Sequence, residues 1–99
     1  MRTTRASTKG ETMRIVLVYR EHSEDRRWVE EFLHDYQART GRDIEVMDPD
    51  SPAAVSFCGT YDIMRYPALI AIGNDGTVYE QWNADNWPQI DTVSGLANL

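Results

Sequence analysis

The chain is poor in cysteine, in basic residues and in long apolar runs, and each shortage excludes something. Its 99 residues include 1 cysteine, Cys58. A lone thiol cannot close an internal disulfide, build a cysteine-rich zinc site or form a C-x-x-C dithiol, and such sparing use agrees with a reducing compartment. No apolar run approaches the ~18 residues of a membrane-spanning helix. The opening "MRTTRASTKGET" is polar throughout and has no apolar signal core, so a cytoplasmic protein with no membrane partner is expected. Against 16 acidic residues stand 10 basic ones, for a formal net charge of -6. An acidic body repels phosphate backbones, which argues against nucleic acid as the main partner.

What is present suits one domain with one modest core: 41% apolar and 26% charged residues, without repeats, low-complexity segments or an interdomain linker. Charge is unevenly placed. Residues 1–12 hold Arg2, Arg5 and Lys9 against Glu11 alone, so the rest is more acidic than the total implies. Residues 1–12 are expected to form a disordered basic tail, and residues 13–99 the folded domain.

"MRIVLVYR" (13–20) is a nearly continuous aliphatic run, the pattern of a strand buried on both faces. Ser23 is expected to cap the following helix, with Glu24 and Asp25 in its first turn. Trp28, Val29, Phe32, Leu33 and Tyr36 recur at helical spacing as one apolar stripe, and Gly41 ends the helix. Arg26–Glu30, Arg27–Glu31 and Asp35–Arg39 are i,i+4 pairs on its other face. "DIEVM" (43–47) predicts a second strand. Ser51 and Pro52 open a helix over 52–61. "ALIAI" (68–72), "GNDG" and "TVYEQW" (77–82) predict a β-hairpin, and Asn86 with Pro88 a last helix over 87–97. The order β-α-β, α, β-β-α makes an α/β fold. A right-handed crossover makes the first two strands parallel, the hairpin adds two antiparallel ones, and helices cover both faces of a four-stranded mixed sheet.

This order, with "GTYDIMRYPALIAIGNDGTVYEQW" (59–82), resembles the thioredoxin superfamily over residues 13–97. Tyr61, Asp62, Ile63 and Pro67 match the spacing of that family's Tyr-Gly-(Val/Ile)-x-x-x-Pro-Thr segment, with Ala68 in place of the threonine. The stretch from Pro52 to Pro67 is a few residues longer than in typical thioredoxins. The resemblance implies that Pro67 corresponds to the family's cis-proline. It implies too that Tyr66 presents its backbone to an extended peptide or to glutathione. Aligning Trp28 and Val29 with the family's first apolar pair on the helix puts Ser23–Arg26 over the C-x-x-C slot. A serine hydroxyl cannot exchange disulfides, so this departure removes the warrant for dithiol activity.

The resemblance therefore implies a redox-inactive thioredoxin-like domain with no catalytic residues, no cofactor and no metal. It would bind a protein or peptide in a groove made by His22, Ser23, Arg65, Tyr66 and Pro67. A glutathione- or anion-binding carrier, or a monothiol role for Cys58, is the alternative. Cys58 falls at i+4 from Ala54 and three before Tyr61, a pattern that puts it on the buried face of its helix. Adjacent His22 and Ser23 make no hydrolase, since neither an orienting acid nor oxyanion donors can be assigned. Asp48, Asp50 and Asp62 match no metal-loop spacing and suit caps and turns. Tyr79, Trp82 and Trp87 are expected to fill the space between the last strand and helix, or to offer an aromatic patch to a partner.

Overall fold

The computed structural model describes residues 13–97, so the expected basic tail lies outside the described residues. β1 (Met13–Val18) leads through α1 (Arg26–Thr40) to β2 (Glu45–Met47), and α2 (Pro52–Thr60) leads to β3 (Ala68–Gly73). The hairpin returns as β4 (Val78–Asn83), followed by a 3-10 turn (Ala84–Asn86) and α3 (Ile90–Ala97). The sheet order is β2-β1-β3-β4. β1 runs parallel to β2 and antiparallel to β3, which pairs antiparallel with β4. This is the expected mixed sheet with helices on both faces.

Strand periodicity explains the two cores. Ile15, Leu17, Tyr19, Leu69 and Ala71 face one way and pack with Val29 and Tyr36 of α1 and Val93 and Ala97 of α3. Val16, Val18, Ala68, Ile70 and Ile72 face the other way, against Cys58 and Ile63. A strand covered on both sides is apolar at nearly every position, which is why β1, Arg14 apart, and β3 read as continuous runs. Burying each such side chain contributes about 1.5–3 kcal/mol.

The ends of α1 show one expectation met and one corrected. Gly41 adopts φ 73 and its N–H reaches the Gln37 carbonyl, the left-handed helix stop that glycine allows most easily. Ser23, however, does not cap the helix. Its hydroxyl donates to the Arg20 carbonyl at 2.7 Å, closing a turn behind it instead of bonding N–H groups ahead. The helix begins at Arg26 with Asp25 at the cap position, in helical conformation and with no side-chain cap bond. Asp25 instead accepts the Trp28 indole N–H at 2.9 Å. Glu24 and Asp25 therefore precede the first turn. On the outer face Arg26 pairs with Glu30 as expected, but Arg39 turns to Asp91 of α3.

Two further corrections concern β4 and the segment after it. The Asn86 carboxamide bonds back to the Asn83 N–H at 2.8 Å, capping a 3-10 turn reciprocally with Asn83. Residues 87–89 are consequently not helical, and α3 starts at Ile90. Of the three aromatics, Trp82 and Trp87 join one core with α3 as expected, and Tyr79 does not. Trp82 is buried opposite Leu69. Trp87 packs edge-on against Trp28 and Phe32, with ring centroids at 4.9 and 5.5 Å. Tyr79 is 51% exposed. The register passes from Ala71–Glu80 to Ile72–Val78, so Tyr79 is the extra residue of a bulge, and its ring lies over Gly73.

The two serines at helix starts thus differ in kind. Ser51 has extended backbone and its hydroxyl accepts the Ala54 N–H, a true cap beside Pro52. Ser51→Ala is expected to lower stability by about 1 kcal/mol. Ser23→Ala, which loses only a partly exposed turn bond, should stay within about 0.5 kcal/mol. Urea unfolding of both variants measures the difference.

Candidate functional site

One end of the sheet collects the residues singled out from sequence. β1 and β2 finish there and β3 begins there, since Val18 pairs with both Met47 and Ala68, and Ala68 with Asn83. Pro67, directly before Ala68, is fully buried, and the Tyr66–Pro67 peptide bond is cis. The preceding residues lead outward: Tyr66 is half-buried, Arg65 exposed and Met64 79% exposed. Among the described residues, neither the N–H nor the C=O of Met64, Arg65 or Tyr66 bonds to another backbone group. The last backbone bond before this stretch is Ile63 N–H to the Cys58 carbonyl at 2.9 Å.

The side chains around this stretch are tied down. The Arg20 guanidinium lies over the Tyr66 ring at 5.2 Å from its centroid, a cation–π contact. The same guanidinium donates twice to the Asp50 carboxylate, both bonds at 3.1 Å. Asp50 is placed by the turn before α2, where its N–H bonds to the Asp48 carboxylate at 2.8 Å. On the far side the Arg65 guanidinium pairs with Asp85 at 2.6 Å.

Sequence reasoning passed over Arg20, and it assigned Asp50 only to a turn. The two are 30 residues apart, and no local pattern announces a pair that forms only when β1 and β2 lie side by side. His22 and Ser23 do lie in the turn between β1 and α1, His22 exposed and Ser23 partly so. No hydrogen bond or ion pair joins either of them to residues 65–67 among the described residues. Arg20, two residues earlier, is what reaches Tyr66.

Electrostatics follow this geometry. The Arg20 hydrogen bonds hold the Asp50 carboxyl below its ordinary value, and Asp50 in turn raises the Arg20 guanidinium. Burial, and then the neighbouring Cys58 thiol, push the Tyr66 phenol above its ordinary value, while Arg20 acts against them. Cys58 itself is 7% exposed on the inner face of α2, where the helical spacing put it. Asp48, Asp50 and Asp62 do not converge: no cluster of three or more potential metal ligands occurs among the described residues. No described helix is long and apolar enough to cross a membrane.

No family model matches the sequence, and no curated protein is similar to it at a significant level. Solved structures do match. A mutant thioredoxin from Halobacterium salinarum is 15% identical, with a TM-score of 0.66 over 90% of this chain and 74% of that one. The oxidised thioredoxin of Plasmodium falciparum is 12% identical, with a TM-score of 0.62 over 90% of this chain and 81% of that one. The pneumococcal exposed lipoprotein thioredoxin is 12% identical, with a TM-score of 0.62 over 92% of this chain and 87% of that one. Identities this low carry architecture alone: the chain has the thioredoxin fold.

Proposed function

We propose that this domain binds an extended protein or peptide segment and carries out no thiol–disulfide exchange. The observation that supports binding is the unpaired backbone from Met64 to Tyr66. An extended partner lying beside it can exchange backbone hydrogen bonds, as in strand addition. Two or three such bonds, at about 0.5–1.5 kcal/mol net each, give millimolar affinity at best. Side-chain contacts must therefore add the rest, and Met64, 79% exposed beside Arg65, is available for them.

Against redox activity stands the turn ahead of α1. Disulfide exchange needs an accessible thiolate. The residues there are Glu21, His22, Ser23, Glu24 and Asp25, and the only cysteine is buried on the inner face of α2. The same carboxylates disfavour glutathione, whose own carboxylates they repel.

The proposal is tested with the purified protein. It should reduce insulin disulfides no faster than the uncatalysed reaction in dithiothreitol. Unrelated extended peptides should shift amide resonances at residues 64–68 and in the turn at 20–23. Turnover of insulin above background, or peptide-induced shifts located elsewhere, would overturn it.

The Arg20–Asp50 pair, which holds one wall of this site, gives a pH prediction. Its carboxylate is depressed in the folded state. Its stabilising contribution is therefore complete above the ordinary aspartate value and is lost as pH falls through the depressed one. Arg20→Gln should return Asp50 to the ordinary range and let the Tyr66 phenol titrate higher still. Carboxyl and tyrosine ring carbon shifts followed by NMR over pH measure both.

A further inference from the structure

The sheet end that holds the open backbone is strongly one-signed, and this bears on what can bind there. The loops gathered at it span residues 19–25, 48–51, 61–67 and 84–87. Their only permanent cations are Arg20 and Arg65, and both are occupied within the chain, Arg20 by Asp50 and Arg65 by Asp85. Their carboxylates are more numerous: Glu21, Glu24, Asp25, Asp48 and Asp62 remain after those two pairs. None of these five takes part in an ion pair among the described residues.

Two of the unpaired carboxylates are placed on either side of the open stretch. On the β2 side, Asp48 and Glu21 line a hollow of 200 Å³ with Tyr19 and Val46. On the β4 side, Asp62 lines one of 230 Å³ with Met64, Arg65 and Asn83. Such a field draws in positive charge and repels negative charge. Apolar surface at Val46 and Met64, 47% and 79% exposed, suits the methylene stems of long cationic side chains.

Resting on the binding role proposed above, we infer that the segment this site takes is cationic: an extended stretch whose Lys or Arg side chains reach Asp48 on one side of the Met64–Tyr66 backbone and Asp62 on the other. The first hollow lies on the sheet face of Tyr19 and the second on that of Ala68, which suits side chains that leave an extended segment towards opposite faces.

The test uses three short peptides of equal length, in which threonine alternates with lysine, with glutamine or with glutamate. Binding is followed by amide shifts of the full chain. The lysine peptide should bind most tightly and the glutamate peptide least. Affinity for lysine should fall as sodium chloride rises from about 0.05 to about 0.5 M. Asp48→Asn and Asp62→Asn should each weaken the lysine peptide about two- to five-fold and leave the glutamine peptide unchanged. Both variants should fold: asparagine keeps the acceptor that Asp48 offers to the Asp50 N–H. It also tolerates the positive φ of 58 at position 62. Equal affinity for the three peptides, with shifts at residues 64–67, would overturn the charge inference and leave the binding proposal standing. No shifts there with any of the three would overturn both.

Discussion

The antiparallel pairing of β1 with β3, from Met13–Gly73 to Val18–Ala68, is the constraint on which the rest of the molecule depends. Both strands are apolar on both faces, and nearly every side chain on them is buried. Such a pair is insoluble alone and must be covered twice. α1 and α3 form one cover and α2 the other. The connections follow from that need. One crossover carries α1 between β1 and β2, and α2 crosses to the opposite face before β3. The segment before β3 must then emerge at the end of the sheet where β1 has just finished.

That placement explains why a site sits where it does. A strand start next to a strand end brings two loops and a helix entrance together, and the backbone there is not yet committed to a ladder. Tyr66 is held by its neighbours in space, not by its neighbours in sequence. The Arg20 guanidinium covers its ring, and Tyr66 packs against the cluster that holds the buried Cys58. The cysteine thus serves as packing for the residue that shapes the site.

Much of this was legible in the residues, and the failures have physical causes. β1 and β3 announced themselves because burial on both faces leaves Arg14 as the one polar position in the two strands. The stripe on α1 and the Ser51–Pro52 start of α2 were equally readable, since each depends on residues a few positions apart. Ser23 misled because serine serves turns as readily as helix caps, and only the Arg20 carbonyl lying within 2.7 Å decided between them. Asn86 misled for a similar reason, its side chain turning back to Asn83. Tyr79 failed because three residues separate it from Trp82, a spacing that puts the two on opposite faces of a strand, and nothing in "TVYEQW" marks the extra residue of the bulge. At the site, Tyr66 and Pro67 were visible through resemblance, whereas the Arg20–Asp50 pair required two strands to be docked first.

The bulge at Tyr79 also governs how the molecule meets copies of itself. β4 is an outer strand of the sheet, and along its length the only charged side chain is Glu80. An outer strand with an unbroken row of free N–H and C=O groups templates further strands and leads to aggregation. The extra residue interrupts that row between Val78 and Glu80 and sharpens the local twist. A passing strand therefore finds matched spacing only from Glu80 to Asn83, a stretch shorter than the usual strand of five or six residues. Beyond it the 3-10 turn ends the ladder, so the longer open side of this small acidic sheet offers a short template.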